Sequence, residues 1–278
     1  MKLFRVKPAK TEFTDSMLPS NRKEVFFDVF KLHWKSFLLL GLIVLLLCVP
    51  FLFIDVYKFF AVMNIENKEE ILMNSVLISN MSNLIKVPFF LLLAVVLSSI
   101  IRIIRQFCWM ENVTLSYDFF LGLKQNIRQV IVLIIFVALF WYLSIYCLNI
   151  SYVSENFMKY VLALPLGLFI LVIMPIAGYM LVAISTYNNT LLQNIKIAFI
   201  VYASNPFKAI ICTLLCSAIF VIKLIPTSIY IQLIVEAIGY ILLPFSLLGF
   251  FLYSNKQFDL HINKHYYPEL VNKGLHLK

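Results

Sequence analysis

The chain reads as an all-α, polytopic membrane protein with about six transmembrane helices and amphipathic helices on its cytoplasmic face. Three observations carry that reading. Mean hydropathy is +0.92. Only 13% of residues are charged, against about 25% in ordinary soluble domains. Long uncharged stretches alternate with short polar segments that carry very uneven amounts of Lys and Arg. Crossing a hydrocarbon layer of about 30 Å takes about 20 residues at about 1.5 Å rise per residue, so each stretch is tested by its length.

The first segment, residues 1–35, is a basic arm ending in a half-polar helix, in which Val25, Phe26, Val29 and Phe30 recur at helical spacing against Lys23, Asp28, Lys31 and Lys35. Residues 36–54 form a charge-free first span, and residues 87–104 a second, interrupted only by Arg102. Between them lies the one sizeable outer segment, polar around Glu66 to Glu70. Residues 116–128 form a second amphipathic segment, with Ser116 and Asp118 as cap candidates and Phe119, Leu123 and Ile127 along one stripe. Spans three and four are the clean stretches 130–150 and 160–184.

A third amphipathic segment, residues 190–208, is broken at Pro206, whose ring cannot continue a helix. The fifth span, 209–225, crosses only if Lys223 reaches back to the interface. The sixth, 230–253, contains Glu236. These bounds give a basic arm at 1–35, a transmembrane domain at 36–255 and a tail at 256–278. An amphipathic helix precedes each odd-numbered span, which suggests a weak internal repeat of amphipathic helix, span, short outer loop and span.

With both termini and the even-numbered loops on one side, 18 of the 23 basic residues fall on that side and 5 on the other. The positive-inside rule then places both termini in the cytoplasm. The formal net charge of +9 becomes a feature of the inner leaflet that attracts anionic lipid, not a nucleic-acid surface. The first apolar run begins after a long charged arm, so no cleavable signal peptide is expected.

Glu236 is the one acidic residue in the apolar part of a span, about 10 Å from its outer end. Three roles stay open for it. It pairs with Lys223 at the end of the preceding span, serves as a cation- or proton-coupling site, or remains a protonated carboxyl against a helix or partner. Phe26, Phe30, Trp34, Phe119 and Leu123 are candidates for contact with lipid or a partner protein. Pro50, Pro165, Pro175 and Pro244 are expected to bend their helices, as happens in transporters and in membrane proteins generally.

Cys48, Cys108, Cys147, Cys212 and Cys216 read as small apolar residues, with neither a disulfide nor a metal site. Cys212 and Cys216 share a helix face but lack further ligands, and His261 and His265 at i, i+4 lack the glutamate of a zinc-protease motif. No phosphate-cradling Gly-rich loop with Lys and no Gly-x-Ser-x-Gly elbow is present, so neither direct ATP binding nor an enzyme activity is expected, and no cofactor is called for. The Glu-Ala-Ala...Gly pattern by which importer permeases engage their ATPases is also missing from residues 185–208, which argues against a permease.

Three stretches together resemble the YesL-like family of bacterial membrane proteins of unknown function. They are YDFFLGLKQNIRQ at 117–129, LLQNIKIAFIVYASNPFKAI at 191–210 and FDLHINKHYYPELVNKGL at 258–275. The resemblance implies a Gram-positive source and genes placed beside carbohydrate importers of the ABC class. It further implies an accessory or stabilising subunit of an oligosaccharide import system, with permease subunits as partners. The rival reading is a stand-alone small-solute transporter or channel that uses Glu236.

Overall fold

The structure, a computed structural model, describes residues 19–65, 71–154, 157–218 and 228–276. These residues form an all-α bundle. Its elements are α1 (Arg22–Met63), α2 (Ile71–Cys108), α3 (Leu115–Ser151), α4 (Met158–Leu168), α5 (Met174–Thr186), α6 (Leu191–Ser204), α7 (Pro206–Cys216) and α8 (Ile229–Phe258). Short π turns join α4 to α5 (Phe169–Ile173) and follow α8 (Asp259–Asn263). Five helices are long and apolar enough to cross a membrane, α4 and α5 counting as one, and the α6–α7 pair, bent by 105°, is the sixth candidate.

The helices outrun the spans. α1 has 42 residues, about 63 Å of helix and twice the hydrocarbon thickness. No Pro or Gly lies between Arg22 and Gly41, so the first amphipathic segment runs into the first span without a break. The second segment likewise continues into its span as α3. The third is the separate helix, because Pro206 cannot donate a backbone hydrogen bond and the chain turns sharply there. At the opposite end the segment expected on the outer side is largely helical where described, with α1 reaching Met63 and α2 starting at Ile71; its polar middle, 66–70, lies outside the described residues.

The helix starts have identifiable causes. The Asn21 side chain accepts the backbone N–H groups of Lys23 and Glu24 at the start of α1. At the start of α6, Thr190 and Gln193 form a reciprocal capping box. On α3 the cap comes from inside the helix, where the Asp118 carboxylate accepts the Thr114 N–H at 2.8 Å. Pro175 cannot donate to the carbonyl of Leu171, and the Tyr202 hydroxyl on α6 donates to that carbonyl instead, at 2.9 Å.

α1 packs between α2 and α8, α2 packs along α3, and α5 closes against α2, α3, α6 and α8. α1 and α8 run antiparallel, with Phe37 beside Phe245 and Phe51 beside Tyr240. They approach so closely that a Cβ on Gly41 would strike the backbone of Ile241. Both described ends of the chain meet at one end of the bundle, where the His276 N–H donates to the Pro19 carbonyl at 2.9 Å. That end carries most of the described Lys and Arg and is called the basic end below.

Candidate functional site

The tail is built into the basic end. Asp259 is buried and takes the Arg22 guanidinium at 2.8 Å, the Asn263 side-chain amide at 2.7 Å and the Asn272 N–H at 3.3 Å. Tyr187 donates to Asn263 at 2.6 Å. Burial, helped by the nearby Asp259 carboxylate, pushes the Tyr187 hydroxyl well above its ordinary value, so it remains a donor at any working pH. Gly274, at φ +82, lies against the carbonyl of Cys108, where a Cβ would not fit. Lys273 lies 3.9 Å over the Trp109 ring.

Beside the docked tail opens a cleft of about 1320 Å³ between α1 and α3. α2 ends at its floor. There Met110 adopts a left-handed conformation (φ 57) that turns the chain outward, and Phe107 stacks on His33 with ring centres 4.0 Å apart. Asp28, Lys31, His33 and Ser36 line the α1 wall toward the basic end, and Leu39, Leu40 and Ile43 line it deeper in. Phe119 and Phe120 form the α3 wall, and Glu111 and Asn112 lie at the mouth. A smaller groove of about 660 Å³ lies on the α8 side of α1, lined by Phe30, Trp34, Leu242 and Phe245 among others.

The sequence-predicted contact residues thus fall on both sides of α1 and on α3. Phe26 stacks on Phe30 (6.3 Å) and Phe30 packs on Phe245 (5.5 Å), while Trp34 stays 45% exposed beside them. Phe119 lines the cleft and Leu123 is half-buried one turn beyond it.

In the other half of the bundle, charges from three helices are buried among apolar side chains. Lys86 of α2 donates to Asp55 of α1. On α8, Glu236 is 4% exposed and accepts the Tyr240 hydroxyl at 2.7 Å. Asp55 lies within electrostatic range of that hydroxyl, and Cys48 within range of Glu236. Lys223, the expected partner of Glu236, lies outside the described residues.

Sequence reasoning missed Asp55, Lys86 and Asp259. Asp55 and Lys86 bracket the two apolar stretches and read as loop boundaries; the signal available was opposite charge at matching depth. A further pair joins Arg102 to Asp118 at 3.6 Å. Asp118 also accepts the Gln106 amide at 2.9 Å, so its carboxylate serves as helix cap and ion-pair partner together.

Among the described residues no group of three His, Cys, Asp or Glu side chains could hold a metal ion, and all five cysteines are free thiols. His265 is exposed and His261 half-buried. The chain matches no protein-family model, no curated protein and no solved structure.

Proposed function

We propose that the chain is an integral-membrane accessory subunit that acts by binding other membrane proteins and moves no solute itself. Support comes above all from where the main cleft lies: it is lined by α1, the end of α2 and the start of α3 at the basic end, and neither Glu236 nor any other residue of α8 lines it. The pairing of charges from different helices, Asp55 with Lys86, Arg102 with Asp118 and Arg22 with Asp259, fits a packing role better than a pathway. The YesL-like resemblance adds the context, an oligosaccharide ABC import system of the bacterial cell membrane with both termini cytoplasmic. No catalytic step is assigned to the chain.

Affinity purification in mild detergent tests this reading. Permease subunits of a carbohydrate importer are expected to co-elute, and a purified chain that elutes alone from native membranes argues against it. Orientation is tested separately: cysteines introduced at Asn67 and Asn272 should label from outside and inside respectively, and outside labelling of Asn272 overturns the cytoplasmic placement.

The alternative, a stand-alone transporter, draws on Glu236, a buried carboxylate held by Tyr240 in the apolar half of α8. It requires solute flux by the chain alone.

A further inference from the structure

We propose that the cleft between α1 and α3 is a binding site for a phospholipid with a zwitterionic head group carrying a primary ammonium and a phosphate. The cleft is graded along the helix axis. Its charged residues gather at the basic end, and beyond Ser36 its α1 wall is purely aliphatic. From Asp28 to Ile43 the wall runs about 22 Å, a length that takes a head group and much of an acyl chain. The volume of about 1320 Å³ exceeds the roughly 300–1,000 Å³ of small-molecule pockets. Leu32 and Phe120 on the two walls remain 76% and 68% exposed, apolar surface that an acyl chain would cover.

The head group follows from the charges at the mouth. Lys31 and His33 offer donors to a phosphate, and Asp28 offers acceptors to an ammonium. Among the described residues neither Asp28 nor Lys31 belongs to an ion pair, so both are free to bind. Glu111, held loosely by Lys273 at 3.4 Å, adds a second carboxylate at the rim. An anionic head such as phosphatidylglycerol would meet these acids without a cation to offer them. The site therefore runs against the chain's net charge of +9, which by itself draws anionic lipid to the basic end.

Native mass spectrometry of the full chain in mild detergent tests this, with phosphatidylethanolamine and phosphatidylglycerol of identical acyl chains added in equal amounts. The phosphatidylethanolamine adduct is expected to dominate by about fivefold. The double variant Asp28→Asn, Lys31→Gln should bring the two lipids level. Leu39→Trp, at a half-exposed position, should fill the deep part of the cleft and remove the adduct while circular dichroism and elution volume stay unchanged. Phe120→Trp serves as the second filling variant should Leu39→Trp fail to fold. Equal or stronger retention of phosphatidylglycerol by the unaltered chain overturns the proposal, as does an adduct that survives both filling variants. A lipid-free dimer that dissociates in Leu39→Trp would show the cleft to be filled by a second copy and would overturn it too.

Discussion

α4 and α5 belong to one membrane-crossing segment, yet α5, in the basic half, buries eight of its residues and α4, in the far half, buries none. α2 repeats the contrast: its basic half buries Val96 to Ile101 and Ile103, Ile104, Phe107 and Cys108, whereas the side chains buried in its far half are Ser79, Asn80, Ser82, Asn83 and Lys86. The core of the molecule therefore sits at the basic end, under the tail. In the far half the helices face an apolar solvent, where burying one apolar side chain against another brings little gain over lipid. Contact there combines aromatic pairs, such as Phe51 with Phe90 and Phe90 with Trp141, with a few polar ones, Asn149 donating to Asn80 at 2.8 Å and Lys86 donating to Asp55. The two halves should accordingly respond differently to substitution, and the expected effects rank as follows.

The largest loss should come from Asp259→Ala. It leaves the Arg22 guanidinium, whose side chain is 12% exposed, without its carboxylate, and it unpins the tail. Breaking such a pair costs about 3–5 kcal/mol. Thermal unfolding in detergent, with limited proteolysis of the tail, reads the effect; unchanged resistance of residues 260–276 would remove the latch from the account.

Gly41→Ala should come next. Its Cβ meets the backbone of Ile241, so α1 and α8 must move apart, at about 1–3 kcal/mol. A destabilised variant with a weakened α1–α8 disulfide cross-link, engineered elsewhere along the pair, is the expected result; full retention of both stability and cross-linking would contradict the close approach.

Asn149→Leu, in the far half, should cost no more than about 1.7 kcal/mol, because its partners Ser79 and Asn80 can turn to other helix groups. A loss that equals that of Asp259→Ala would break the contrast between the halves.

Glu236→Gln should be smallest. If Glu236 pairs with Lys223, Lys223→Met should partly restore what Glu236→Gln removes, through a coupling of about 0.6 kcal/mol. Tyr240→Phe, which deletes the hydrogen bond at 2.7 Å, provides an independent comparison on the same carboxylate. Stability measured across the four-variant cycle decides it, and zero coupling would dissociate Lys223 from Glu236.

Fold class and five of the six spans were legible because length and charge are one-dimensional properties: a clean stretch such as 130–150 must become helix in lipid, whereas the expected fifth span, 209–225, runs past the described residues after 218. The break at Pro206 was legible for the same reason, since the missing N–H is a property of the residue itself. Azimuth was not. Asp55 and Lys86 looked like the ends of a loop, and only the packing of α1 on α2 turns them toward one another. Phe119 was picked out by its stripe, but the stripe does not reveal that α1 and α3 leave a cleft between them. Asp259 shared a polar tail with His261 and His265, and its role depends on a contact with Arg22, 237 residues away.

The claim that the chain binds other membrane proteins and transports nothing meets its most direct test in liposomes. The purified chain is reconstituted alone, and uptake of labelled small solutes and oligosaccharides is followed with and without a pH or cation gradient, beside Glu236→Gln. Background flux is expected for both proteins. Gradient-dependent uptake by the unaltered chain, lost in Glu236→Gln while the variant stays folded, would contradict it and make Glu236 a coupling carboxylate.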